Sequence, residues 1–321
     1  VAPMHYLAVC AIFRDEAPYL AEWICFHRLV GVEHFYLYDN GSDDRPHRVL
    51  RPFIERGLVT LEHWPIPFHE KAQKQAYQHC LERARYGKLA RWIAFIDLDE
   101  FLFAPAREKL PDELRPYEDH PGVVVNWQCY GSSGHRKTDE APVIARFTRR
   151  ARRNWVRNRK VKSIIDPART LRAEGVHYFA HDDGEPSVDE ARKPVMIGKA
   201  RPLRRRLRRW YRLLGPLLRF ADPYSNRDVG GRQVRVERLR INHYPVKSYE
   251  EFSKKARLKK EKRRYEDLDY FAYHDRNEVL DTVLLRFVPA LETELKVLGV
   301  ESHPALSGRL DTSPNPISQT P

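Results

Sequence analysis

Two apolar periods alternate along the first hundred residues. HYLAVCAIF, residues 5–13, is a continuous apolar run that breaks into charge at Arg14, Asp15 and Glu16, the pattern of a strand covered on both faces. In APYLAEWICFHRLVGV the spacing becomes helical at Leu20, Trp23, Ile24, His27 and Val30, and Gly31 is placed to end the helix. EHFYLYDNGSDD predicts a second strand that opens into a polar turn, and GLVTLEHWP a third. An amphipathic helix over residues 69–86 leads into RWIAFIDLDEFLF, residues 91–103, read as a buried strand that finishes on Asp97, Asp99 and Glu100.

Strands alternating with helices predict an α/β fold: a Rossmann-like, mostly parallel sheet with helices on both faces. Ligands of such sheets bind beyond the carboxyl ends of the strands. That rule gathers Arg14 and Glu16, then Asp39, Asn40 and Ser42, then Asp97 and Asp99, at one rim. After residue 104 the alternation weakens. GVVVNWQCYGSSGH and VIARFTRR read as strands around a Gly/Ser loop, and SIIDPARTLRAEGVHYFAH as a strand pair. RVERLRINHYPVKSYEEFSKKARLKKEKRR runs from a strand through a turn into a basic helix. Residues 1–260 are thus expected to form the main domain, 261–300 a helical segment, and the Pro/Ser-rich 301–321 a flexible tail.

Composition changes the picture in three ways. A chain of 321 residues with 42% hydrophobic content can bury a substantial core. Its 57 Lys and Arg against 44 Asp and Glu leave a formal charge of +13, which favours a negative partner: a phosphorylated substrate, anionic lipid or nucleic acid. Cys10, Cys25, Cys80 and Cys129 lie far apart in apolar segments with no CxxC pair, as reduced core residues do. With no secretory leader and no run of ~18 apolar residues, a cytoplasmic location is expected.

The acids at 97–100 carry the candidate chemistry. On a strand, residues i and i+2 share a face, so Asp97 and Asp99 are expected to point together while Leu98 enters the core. Glu100 should turn away and fix local structure rather than bind the metal. Two carboxylates at an open strand end suit a hard divalent cation, held together with the oxygens of a substrate phosphate. With the acid-tipped strands upstream, the pattern predicts a nucleoside diphosphate across the rim.

CAIFRDEAPYLAEWICFHRLVGVEHFYLYDNGSDD, then WIAFIDLDEFLF, then INHYPVKSYEEFSKKA, together resemble the family 92 glycosyltransferases, which have the GT-A fold and include galactan synthases. The related family-2-like bacterial enzymes are similar too. The resemblance covers roughly residues 5–260 in discontinuous blocks. It implies an inverting hexosyl transfer from a nucleotide sugar, a UDP-sugar first, to a hydroxyl of a glycan or lipid-linked acceptor. It also implies that Arg14, Glu16, Asp39, Asn40 and Ser42 hold the uridine, that Asp97 faces the ribose or a metal-bound water, and that Asp99 binds the metal. His243 would be a further ligand, and nitrogen beside carboxylate suits Mn²⁺ rather better than Mg²⁺. Lys247 would meet the diphosphate.

Inversion requires a base for the acceptor hydroxyl. Asp182, Asp183 and Glu140, in two acidic loops, are unseparated candidates. Ser132, Ser133 and His135 form a loop that could cradle donor or acceptor, with Trp127 or Tyr130 either stacked on a sugar or packed in the core. Lys162 and His177 fall in further matching blocks without an assigned role. RPLRRRLRRWYRLLGPLLRF, residues 201–220, can form an apolar stripe framed by arginines, suited either to an anionic membrane surface at the inner face or to packing on the body. Two rival readings remain at this stage. One is a haloacid-dehalogenase-type phosphatase, whose DxD instead lies on the first strand. The other is a basic nucleic-acid binder, for which no recognisable module is present.

Overall fold

The computed structural model describes residues 4–195, 233–258 and 267–300. The alternating segments become β1 (His5–Phe13), α1 (Ala17–Leu29), β2 (His34–Asp39), α2 (Pro46–Glu55), β3 (Val59–His63), α3 (Ala72–Gly87) and β4 (Ala90–Phe95). The next elements are β5 (Glu100–Phe103), α4 (Leu110–Leu114), β6 (Gly122–Cys129), α5 (Val143–Arg146), β7 (Arg149–Arg150), β8 (Val161–Ile165), β9 (Thr170–Ala173) and β10 (Phe179–His181). After residue 233 come β11 (Arg240–His243), α6 (Tyr249–Leu258), α7 (Asp267–His274), β12 (Val279–Leu280) and α8 (Val288–Leu298).

One eight-stranded sheet runs in the order β3-β2-β1-β4-β8-β6-β11-β5. Its β3-β2-β1-β4 half is wholly parallel. In the other half β8 runs antiparallel to β4 and β6, whereas β11 is parallel to β6. β1 explains the layering: Leu7, Val9, Ala11 and Phe13 join the apolar cluster beneath α1, while Ala8 and Cys10 join the one beneath α3. Period-2 alternation with both sides apolar forces helices onto both faces. All four cysteines are buried and free.

Several expectations change. VIARFTRR is not a strand, because Val143–Arg146 forms a short helix and only Arg149–Arg150 pairs, with β12. The Glu22 carboxylate accepts Val143 N at 2.8 Å and Ile144 N at 3.1 Å, so a buried acid on α1 starts this helix. Burial raises the Glu22 pKa to about 7, against the pull of those two amides, Arg146 and Lys247. SIIDPARTLRAEGVHYFAH divides three ways: β8 joins the main sheet while β9 and β10 form a separate pair. Within the expected helical segment, α8 packs into the body through Leu291, Leu295 and Leu298. The tail 301–321 and the basic segment 201–220 lie outside the described residues.

Candidate active site

β4 ends at Phe95, and Asp97, Leu98 and Asp99 form a turn before β5. The shared-face argument from strand alternation therefore fails, because a turn rotates successive side chains differently. Leu98 is 3% exposed and anchors the turn in the core as expected. Glu100 N donates to Asp97 O at 3.0 Å, and the Glu100 carboxylate returns to accept Asp97 N at 3.0 Å. β5 then pairs antiparallel with β11, which sets Glu100 opposite His243.

The two aspartates part company. Asp97 Oδ1 accepts from Gln73 at 2.7 Å and from the Tyr77 hydroxyl at 3.2 Å, and Asp97 Oδ2 lies 2.9 Å from Lys162 Nζ. Burial alone would raise the Asp97 pKa, and the Lys162 ammonium outweighs it, holding the carboxyl below its usual range. Asp99 turns the other way: its Oδ1 lies 3.6 Å from His243 Nε2.

Asp99, Glu100 and His243 each offer one ligand atom, all within 4.8 Å of one another. Two carboxylate oxygens and one imidazole nitrogen form a donor set suited to Mn²⁺. Two observations show that the residues fit a cation. Burial lowers the His243 pKa to about 4, so the ring is neutral near pH 7 with a lone pair to give. Glu100 Oε1 is buried with no hydrogen-bond partner among the described residues, with Lys162 Nζ 3.9 Å away. Glu100 ties the turn through Asp97 N and also stands in the candidate ligand cluster, against the expectation that it would fix local structure rather than bind a metal.

Cations close the opposite side. Lys247 is 4% exposed, in left-handed backbone at φ 54°, with Nζ 3.9 Å from the centre of the Tyr19 ring. Burial and the charge of Lys255 push its pKa down. Lys255, on α6, reaches Glu16 Oε1 at 2.5 Å and Asp99 Oδ2 at 3.7 Å. Sequence reasoning passed over Lys255. The Ser248-x-x-Glu251 capping box starts α6, with Ser248 N donating to Glu251 at 3.1 Å, and Glu251 is gripped bidentately by buried Arg146 at 2.9 Å. Four residues on from Glu251, Lys255 faces the same way.

The remaining rim residues build its frame. Ser42 Oγ accepts Asp15 N at 3.0 Å, Asp39 Oδ1 accepts Ser42 N at 2.9 Å, and the Asn40 amide donates to Trp64 O and Ile66 O at 2.7 Å each. These bonds lock the turns after β1 and β2 together. Arg14 is exposed beside Asp15. Glu16 is buried against Lys255, and Glu16 Oε2 has no hydrogen-bond partner among the described residues.

Other candidates lie elsewhere. Gln73 at one end of α3 touches Asp97, whereas Arg85, twelve residues on and about 18 Å along the helix, holds Asp182 at 3.3 Å. Asp182 and Asp183 are therefore not brought to the rim. Glu140 is exposed in the loop before α5. Trp127 is 4% exposed, packed at 4.2 Å on the His243 ring, and Tyr130 is 1% exposed with its hydroxyl bonded to Arg240 and Asn242. Neither ring has a free face for a sugar. Trp127 instead orients His243. His177 Nδ1 lies 2.9 Å from Val161 O, and the ring lies 5.5 Å from Trp127.

The Gly/Ser loop is docked rather than open. Ser132 N and Ser133 N donate to Asp275 and Asn277 at 2.6 and 2.8 Å, and His135 O accepts Tyr249 N at 3.3 Å. A Cβ at Gly131 would stand 2.5 Å from Asn277 Oδ1 and 2.6 Å from Arg276 N. Gly131→Ala is expected to cost about 2 kcal/mol, read as a lower urea midpoint at constant m-value. An unchanged midpoint would show that the 275–277 segment yields freely.

The comparisons follow from this geometry. A model of glycosyltransferase family 92 matches residues 5–275, spanning every side chain of the ligand cluster and both rim lysines. The chain belongs to glycosyltransferase family 92. A family 92 protein of Oryza sativa subsp. japonica is 35% identical over 199 residues, 60% of this chain and 32% of the relative. Galactan beta-1,4-galactosyltransferase GALS2 of Arabidopsis thaliana is 28% identical over 183 residues, 52% and 34% respectively. This family 92 chain spans about a third of the length of such relatives. Among solved structures, S. aureus TarS 1-349 overlaps 51% of this chain and 47% of its own at 12% identity and TM-score 0.32. Family membership favours the glycosyltransferase reading over the phosphatase and nucleic-acid rivals. Within the basic segment RFTRRARRNWVRNRKVK, Arg150 is paired with Asp281 at 2.5 Å and Arg153 with Glu237. Among the described residues no helix is long and apolar enough to cross a membrane.

Proposed function

We propose that this chain transfers a hexose, with inversion and with the help of a divalent metal, from a UDP-sugar to a hydroxyl of a glycan or lipid-linked acceptor. The observation that carries the reading is the meeting of Asp99, Glu100 and His243 with Lys247 and Lys255 at the carboxyl end of the parallel strands. Three ligands for one cation beside two ammonium groups suit a diphosphate that must leave with its charge compensated. Galactosyl transfer by the galactan galactosyltransferase relatives makes UDP-galactose the first donor to test.

In this reading Asp99, Glu100 and His243 hold Mn²⁺ or Mg²⁺, and the cation supplies electrophilic help to the departing diphosphate. Asp97, tied to Lys162, Gln73 and Tyr77, positions the turn rather than joining the inner ligands. Glu16 and the Asp39–Ser42 turn would receive the uridine, and Lys247 the phosphates. The base is unassigned, and of the three sequence candidates only Glu140 is not excluded by the distance along α3. Docking of residues 201–220 to an anionic membrane remains a proposal of the sequence.

The test is a donor screen with purified protein, measuring binding and UDP release for a panel of UDP-sugars with Mn²⁺ or Mg²⁺. The expected result is metal-dependent binding and slow hydrolysis of at least one UDP-hexose. Failure of every UDP-sugar to bind or hydrolyse would overturn the reading.

A further inference from the structure

Asp99 is addressed from two sides. Its Oδ1 lies 3.6 Å from His243 Nε2, while its Oδ2 lies 3.7 Å from an ammonium group of the protein itself, Lys255 Nζ. The same ammonium sits 2.5 Å from Glu16 Oε1. A cation therefore already stands against the carboxylate that a metal would need.

The two rim lysines are not equivalent. Lys247 is buried on the Tyr19 ring. The Lys255 side chain is 26% exposed, on a flexible four-carbon stem, and so has room to move. Burial would lower its pKa, yet Glu16 and Asp99 outweigh burial and hold it above the usual lysine range, so it stays charged. Glu16 also keeps an acceptor that Lys255 does not use, because Glu16 Oε2 is buried without a hydrogen-bond partner among the described residues.

We propose that Lys255 is an exchangeable counter-ion of the metal site. In the nucleotide-free protein it compensates Asp99 and Glu16 and opposes metal entry. When metal and a nucleoside diphosphate arrive together, the ammonium passes from the carboxylates to the phosphates. A divalent ion and an ammonium at this range repel each other, so both cannot settle on Asp99 unless new negative charge enters. The diphosphate brings that charge. Metal and nucleotide thus bind with a coupling that exceeds simple bridging, and Lys255 carries the excess. The inference rests on the metal-dependent nucleotide-sugar reading above.

The test measures Mn²⁺ affinity of the whole chain, by electron paramagnetic resonance or calorimetry, with and without UDP. Lys255→Met is expected to bind Mn²⁺ alone about tenfold more tightly than wild type, since an opposing charge is gone. Its UDP affinity in saturating Mn²⁺ should fall about tenfold, so the two effects have opposite signs. Lys255→Gln repeats the measurement should the Met variant misfold, and Lys255→Arg should stay near wild type. Lys254→Met, on the same helix but paired with Glu250 at 2.9 Å, should leave Mn²⁺ affinity unchanged. A merely structural role would weaken both ligands together. The inference is overturned if neutral variants at 255 bind Mn²⁺ alone no more tightly than wild type. Wild type that bound neither Mn²⁺ nor UDP would instead remove the underlying reading, and this inference with it.

Discussion

Replacing Asp99 with alanine is expected to lower metal-dependent sugar transfer by about two to three orders of magnitude, the usual effect of deleting one preorganised electrostatic partner of a developing charge. His243→Ala should follow the same course. Asp99 faces His243 at 3.6 Å, and the His243 ring is held neutral by burial and oriented by Trp127 at 4.2 Å. Alanine at Asp99 removes a ligand without opening the core, because Leu98 and the Glu100–His243 register hold the turn, whereas His243→Ala also removes a buried ring from Trp127 and is read beside its urea midpoint. The measurement is kcat/KM against Mn²⁺ concentration, beside direct Mn²⁺ binding. Both variants keeping wild-type metal dependence would remove the cluster as a metal site.

The second large effect is on stability. Lys162 lies on β8, in the middle of the sheet, with its side chain 1% exposed, and it is the cation nearest both Asp97 and Glu100. Lys162→Met would leave the buried Glu100 and the partly exposed Asp97 without it, at a cost of about 3 kcal/mol, the low end of the range for breaking one side of a buried pair because solvent reaches Asp97. The pH dependence has a definite sign. In wild type the Asp97 pKa is depressed, so its contribution is present above the unfolded value of about 4 and is lost as pH falls. Burial already holds the Glu100 carboxyl well above its usual range in wild type, and without Lys162 it raises the Asp97 carboxyl as well and Glu100 further. Such a penalty is absent below the unfolded values and grows as pH rises. The gap between wild type and variant should therefore be widest near neutral pH and close toward about pH 4. Urea unfolding at several pH values measures it, and equal stability at neutral pH would show that the two acids do not depend on Lys162.

Much of this was legible in the sequence where the signal is local. Short apolar runs ending in charge or polar turns located β1 to β4, helical spacing located α1 and α3, and the charged ends of the strands located the rim. Asp99, His243 and Lys247 could be named from motifs, although only the resemblance joined them. The Asp97–Asp99 pair was misjudged because β4 stops two residues short of Asp97, and strand ends are set by what the next segment pairs with. Whether Trp127 and Tyr130 stack on a sugar or pack in the core stayed open in the sequence, because an aromatic residue beside a Gly/Ser loop reads the same whether its face is open or covered. Lys162 had a faint signal, a lone cation inside the apolar run VKSII, and Lys255 had one in the spacing from Glu251.

The sequence by itself determined the layered α/β plan, the order of its elements up to α3 and the end of the sheet where chemistry gathers. These follow from side-chain periodicity, which each short segment carries alone. Only the tertiary structure decided the partners. β5 leaves the middle of the sheet to pair with β11, and that crossing sets Glu100 opposite His243, turns Asp99 toward His243 and leaves Asp97 to Lys162. Such contacts join residues far apart in the chain, Asp97 to Lys162 and Glu100 to His243, and no local pattern encodes which distant charge an acid will meet.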